Sequence, residues 1–91
     1  MRGGELNMKL EEAVNIIRES YPSYNLINVV DYDNYFVFNI TPPKHDIEKD
    51  GEWLGGLVAV DKMFKIPMHF IPLQHNPSAY AKAAKNNITY F

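Results

Sequence analysis

The sequence predicts an α+β fold, with an antiparallel four-stranded sheet packed by an N-terminal helix and a short C-terminal helix in the order α-β-β-β-β-α. Three observations predict it. An apolar stripe at helical spacing lies near the start, β-rich segments separated by polar turns fill the middle, and a cap followed by proline begins a helix near the end. With 91 residues, 46% of them hydrophobic, the chain is expected to form one domain with a modest core.

The first residues are expected to lie outside this domain. Residues 1–7 are predicted to form a polar tail and residues 8–91 a single α+β domain. The codons of Arg2-Gly3-Gly4-Glu5 can spell a bacterial ribosome-binding sequence, and Met8 follows at a suitable distance. Two interpretations stay open, because translation could start at Met8 or the tail could be genuine.

A helix is predicted over residues 8–20. Its apolar residues recur at i, i+3, i+4 and i+7 and so share one face, namely Leu10, Ala13, Val14 and Ile17. Asn7 is expected to cap the first turn. Tyr21-Pro22 is expected to end the helix, because the residue before proline avoids the α conformation.

Two strands, Tyr24–Val30 and Tyr35–Thr41, are predicted to form a hairpin, since both segments are rich in β-branched and aromatic residues. The sequence Asp-Tyr-Asp-Asn at 31–34 lies between them. Asp and Asn bond to local backbone and tolerate left-handed conformations, so this segment is predicted to be the turn.

A second pair of strands is predicted at about Trp53–Val60 and Phe64–Ile71, joined at Asp61-Lys62. Gly55-Gly56 indicates a bulge or the close approach of another group. Pro67 cannot donate to a sheet ladder, so its strand is expected to lie at an edge or to be broken there.

The last helix is predicted at about Pro77–Lys85, with Asn76 as its cap and proline at its first position. Its inner face is expected to comprise Ala79, Tyr80, Ala83 and Ala84. Residues 88–91 are predicted to be either a short strand or a packed tail. One or both helices are expected to cover one face of the sheet.

Composition disfavours several functional classes. The net charge is −2 and the basic residues are scattered, whereas nucleic-acid binding usually needs a basic stripe. No apolar run is long enough for a membrane span, and the start lacks the apolar core of a secretory signal. The chain has no cysteine. We therefore expect a cytoplasmic protein that binds neither nucleic acid nor membranes.

No motif predicts catalysis, a metal or a cofactor. Residues 46–51 resemble the start of a calcium loop, but Leu57 stands where the loop needs a bidentate glutamate. The three histidines lack metal-site spacing, and no serine lies in a nucleophile elbow. The prediction is a non-enzyme without a cofactor or metal.

The aromatic content, 13% of the chain, is the one mild functional signal in the sequence. Tyr and Trp are enriched at interface hot spots. Partner binding is predicted at Tyr35, Trp53 and Phe64 and in the polar loop of residues 42–52, whose acidic residues are Asp46, Glu48, Asp50 and Glu52. An ordinary sheet with aromatic cross-strand pairs is an equally good explanation.

The order of elements resembles that of small α+β proteins encoded by prophages and bacterial immunity loci. The resemblance rests on Val60-Asp61-Lys62 between two apolar strands, and on the tail that includes Phe70-Ile71-Pro72 and residues 76–83. The chain departs from the Lys-x-Gly turn frequent in such proteins. The resemblance implies a non-enzymatic binding role and assigns no functional residues.

Three functional hypotheses follow. The first is a phage- or mobile-element-related domain that binds a protein partner, or a second copy of itself, through a sheet face or edge. The second is an immunity protein whose acidic loop neutralises a basic toxin. The third is a small enzyme or ligand binder, which would require a concave pocket with converging polar groups.

Overall fold

The computed structural model describes residues 9–43, 57–74 and 76–91, and in this part of the chain it has the predicted α+β class. These described residues form two helices and a 3-10 turn alongside an open antiparallel sheet. In chain order the elements are α1 (Leu10–Ser20), β1 (Asn25–Tyr32), β2 (Tyr35–Thr41), β3 (Leu57–Asp61), β4 (Pro67–His69), the 3-10 turn (Pro72–Gln74), α2 (Pro77–Asn86) and β5 (Ile88–Tyr90).

The sheet has five strands, in the order β4-β3-β2-β1-β5, rather than the predicted four. The additional strand is β5, which pairs antiparallel with β1 from Asn28↔Tyr90 to Val30↔Ile88. The two alternatives left open for the end of the chain are thereby decided in favour of a strand. The edges of the sheet are β4 and β5.

The helix α1 covers one face of the sheet. Ala13 and Ile17 are fully buried against a set of alternating strand residues, namely Val29, Phe36, Phe38, Ile40, Val58 and Val60. The predicted apolar stripe of α1 is confirmed, with Leu10 and Val14 partly buried at its margin. Lys9 occupies the N-cap position and makes no side-chain cap bond, and Asn7, the predicted cap, lies outside the described residues.

The helix α2 covers the opposite face. Ala83 packs with Val30, Val37 and Ala59. The residues on either side of Val37 in β2 and of Ala59 in β3 point instead to α1. The sequence left open whether one or both helices cover one face, and in the described residues each face is covered by one helix. β2 carries buried apolar side chains on both sides, such as Phe38 toward α1 and Val37 toward α2, and such a strand requires cover on both sides.

Local signals near α2 are confirmed. The Asn76 side chain accepts a hydrogen bond from the Ala79 backbone N–H at 3.1 Å, which satisfies one of the unpaired donors of the first turn. Ala83 and Tyr80 lie on the inner face as predicted, whereas Ala79 is exposed.

A bulge in β1 adjusts its contribution to the core. The pairing with β2 shifts between Leu26 and Asn28, which leaves Ile27 as the extra residue. Leu26 and Val29 therefore both contact the α1 side, although they are an odd number of positions, three, apart in the sequence. The bulge predicted at Gly55-Gly56 lies outside the described residues.

Candidate interaction site

Two turns meet at one end of the sheet. The β1–β2 turn contains Asp33 and Asn34, and the β3–β4 turn spans residues 62–64, wider than the predicted Asp61-Lys62 connection. The Lys62 backbone N–H donates to the Asn34 carbonyl at 2.9 Å. This bond joins two turns that are 28 positions apart in the sequence numbering (62 minus 34).

The Asp61 carboxylate organises the second turn. Asp61 is only 7% exposed, yet its Oδ1 accepts from the backbone N–H groups of Met63 at 2.8 Å and Phe64 at 2.9 Å. The same oxygen accepts from Asn34 Nδ2 at 3.3 Å. A buried carboxylate needs such donors, and a short Asp side chain is well placed to supply an acceptor to a turn.

The Lys62 side chain adds a second connection between the turns. Its ammonium pairs with the Asp31 carboxylate, donates to the Asp33 carbonyl at 3.0 Å and lies 4.7 Å from the centre of the Phe36 ring. The Lys62 side chain is 12% exposed, whereas the side chain of Asp31 is 55% exposed, so solvent still screens this ion pair. We call Asn34, Asp31, Asp61 and Lys62 the turn clasp.

The turn clasp supports a strongly exposed apolar surface. Phe64 is 69% exposed, Ile66 53%, Met63 51% and Met68 39%. Met63 and Phe64 are the residues whose backbone N–H groups bind Asp61. We call Met63, Phe64, Ile66 and Met68 the apolar rim.

The pairing of β4 with β3 places half of the rim on the α2 face of the sheet. The Asp61 N–H donates to the Ile66 carbonyl at 3.1 Å, and the Phe70 N–H donates to the Leu57 carbonyl at 3.2 Å. Met68 pairs with Ala59 midway between these bonds. The side chains of alternate residues share a face, so Ile66 and Met68 lie in a row with the buried Phe70 on that face.

Pro67 marks β4 as an edge strand, as predicted. It pairs with Val60 at a position between the hydrogen-bonded pairs, so its backbone nitrogen, which carries no hydrogen, faces away from β3. The ladder to β3 is therefore not broken. Beyond Pro67, His69 is the one residue of β4 whose N–H points outward.

The predicted partner residues separate into three groups. Phe64 belongs to the apolar rim. Tyr35 pairs with Asp61 in the sheet and is half-buried, with its ring centre 6.0 Å from that of Phe70. Trp53 and the acidic residues Asp46, Glu48, Asp50 and Glu52 lie outside the described residues.

Of the turn clasp and the apolar rim, only Phe64 is among the partner-binding residues predicted from the sequence. Asp61 and Lys62 were assigned only to a connection, although an Asp at the start of a glycine-free turn is a signal for side-chain bonds to the next N–H groups. Met63 and Ile66 carried a signal as well, because they bring apolar side chains into a turn and a proline-containing edge.

A separate open cleft of about 660 Å³ lies between α2 and the β1–β2 turn. Its lining includes polar residues that already serve the fold, because Asp31 is held by Lys62 and Asn76 caps α2. Nearby, burial raises the pKa of the Tyr80 phenol above its ordinary value of 10.0. Tyr80 packs edge-on against Tyr32, and Tyr32 lines the cleft.

Within the described residues, no three His, Asp or Glu side chains come together as a metal site. None of the described helices has the length and apolar character needed to cross a membrane. Comparisons with protein-family models, with curated proteins and with solved structures found no match to this chain.

Proposed function

We propose that this chain is a non-enzymatic interaction domain that binds a protein partner through the apolar rim. The partner surface is apolar at its centre, because it must cover Phe64, Met63 and their neighbours on β4. Met63 and Met68 suit such contacts, since the flexible thioether side chain adapts to irregular partner surfaces.

The observation that carries this proposal is the exposure of four large apolar side chains within six residues of chain, between 39% and 69% each. Folded monomers seldom expose contiguous apolar surface unless it is used. Within the described residues a helix packs on each face of the sheet, so the β4 edge and its turn lie among the accessible parts of the sheet, as does the β5 edge.

The turn clasp supports the same proposal. Two hydrogen bonds to Asp61 hold the backbone of Met63 and Phe64 in one arrangement, and a third, from the Asn34 side chain, connects Asp61 to the β1–β2 turn. A partner then binds a surface that is already ordered, and pre-ordering lowers the entropic cost of binding. A fixed apolar turn is suited to recognition and contributes little to the core of its own chain.

The experiment begins with capture of bound proteins from the native host and continues with the captured protein in purified form. Its affinity is measured by calorimetry against the wild-type chain and against Phe64→Ala. Loss of a central aromatic anchor typically costs about 2 kcal/mol, so we expect about a 30-fold weaker dissociation constant.

Tyr90→Ala is the matched control, because Tyr90 is 71% exposed and lies at the opposite edge of the sheet. With the chain at low micromolar concentration, this variant should bind within about twofold of wild type. Equal losses in both variants, or no loss at Phe64→Ala, would overturn the proposed use of the rim.

The origin in a phage or mobile element stays a prediction. The immunity alternative depends on the acidic loop, which lies outside the described residues, and no observed contact favours it. The enzyme alternative needs converging polar groups with no structural duty, whereas Asp31 and Asn76 in the cleft are both engaged.

A further inference from the structure

The second edge of the sheet, β5, presents backbone groups that the pairing with β1 does not use. The Asp31 N–H donates to the Asn87 carbonyl at 3.0 Å, and the Phe91 N–H donates to the Ile27 carbonyl at 3.0 Å. Residues 87, 89 and 91 therefore direct their backbone groups to β1. The N–H and C=O of Ile88 and Tyr90 point outward.

The two edges differ in how they discourage strand pairing. At β4, Pro67 removes one of the outward donors. At β5, residues 87–91 contain neither proline nor a charged side chain. The shortness of β5, three residues, is its main protection.

We propose that β5 pairs antiparallel with β5 of a second copy of this chain, with the two-fold axis passing beside Thr89. In this register Ile88 of each copy faces Tyr90 of the other, and the four outward N–H groups meet four outward carbonyls. The dimer sheet then has ten strands, with β4 at both outer edges. This inference goes beyond the proposed function and uses the opposite edge of the sheet.

The chemistry of β5 favours a second copy as the occupant. Each Tyr90, 71% exposed in the monomer, gains an aromatic–β-branched contact with Ile88 of the other copy. No like-charged side chains oppose each other within the paired strands, because residues 88–90 carry no charged side chain. The pairing is symmetric, so a single sequence satisfies both sides of it.

The small size of β5 sets the strength of the dimer. Three paired residues bury much less than the ~800 Å² per partner of a stable interface, so we expect a dissociation constant on the order of 10–1000 µM. Such a dimer carries two apolar rims at its outer edges, and a partner with two binding surfaces gains affinity from both.

The test is sedimentation equilibrium of the purified chain between about 10 µM and 1 mM, where we expect a reversible monomer–dimer equilibrium in the stated range. Thr89 is exposed, and in the proposed register it lies directly opposite its own copy. Thr89→Lys alone and Thr89→Glu alone should each weaken the dimer at least tenfold. An equimolar mixture of the two variants should restore association to wild-type strength or better.

Tyr90→Pro provides a second line of evidence, because it removes an outward N–H and leaves the bonds of β5 to β1 intact. It should also weaken the dimer at least tenfold, with the far-ultraviolet circular dichroism of the wild type as the check on folding. A wild-type chain that stays monomeric at 1 mM overturns the proposal. The proposal is also overturned if neither Thr89→Lys nor Thr89→Glu weakens the association, or if the equimolar mixture of the two variants does not restore it.

Discussion

Replacing Asp61 by alanine tests the turn clasp most sharply. The substitution removes the acceptor of three hydrogen bonds, at 2.8, 2.9 and 3.3 Å, and leaves two backbone N–H groups of the turn without their side-chain partner. Hydrogen bonds to a charged group contribute about 1.5–3 kcal/mol each, and bonds that share one acceptor are not additive. We expect the free energy of unfolding to fall by about 3 kcal/mol.

Thermal and urea unfolding, followed by circular dichroism, measure this loss. For a domain of this size the fall corresponds to about 12–24 °C in Tm. Asp61→Asn keeps the Oδ1 acceptor and the volume of the side chain, so it should cost only about 1 kcal/mol. Glu19→Ala, at an exposed carboxylate of α1, should change stability by less than about 0.5 kcal/mol.

Two outcomes refute the reasoning. An alanine variant within 1 kcal/mol of wild type would mean that water or another conformation satisfies the turn equally well. An Asn variant as unstable as the alanine variant would mean that charge, and not the shared acceptor, determines the stability of the turn.

Three further predictions concern single side chains. Asn76→Ala should lower the free energy of unfolding by about 1 kcal/mol in urea titrations, because α2 loses its cap bond, and a loss below 0.3 kcal/mol contradicts this. Lys65 has a φ of 59°, a left-handed conformation that glycine adopts easily and a β-branched residue does not. Lys65→Gly should therefore be tolerated, whereas Lys65→Val should lower the free energy of unfolding by more than about 1 kcal/mol. A glycine variant less stable than the valine variant would contradict this. Because burial raises the pKa of Tyr80, the folded state holds the phenol proton more strongly than the unfolded state does. The contribution of this group to the free energy of unfolding is therefore present below pH 10.0 and is lost as the pH rises through the folded pKa. Unfolding of Tyr80→Phe between about pH 9 and 11 should show a weaker decline than wild type, and identical slopes would count against this assignment.

Elements with local signals could be predicted from the sequence. The stripe of α1, the stop at Tyr21-Pro22 and the Asn76 cap each depend on residues within one turn of each other. Pro67 indicated an edge because its missing N–H is incompatible with a central strand.

Relations between distant segments could not be predicted in this way. The position of α2 opposite α1 depends on both faces of β2 being apolar, a signal present in Val37 and Phe38 that helix spacing alone does not resolve. The strand β5 has three residues, too few for a period to be recognised. The pairing of Lys62 with Asp31 joins residues far apart in sequence, and only the meeting of two turns creates it.

Backbone hydrogen exchange of the chain, alone and with its captured partner, tests the central claim most directly. If the apolar rim is the binding surface, the added protection will concentrate in residues 62–69, where Phe64 and Met68 lie. Protection confined to α2 or β5, or none in any segment, would contradict the account.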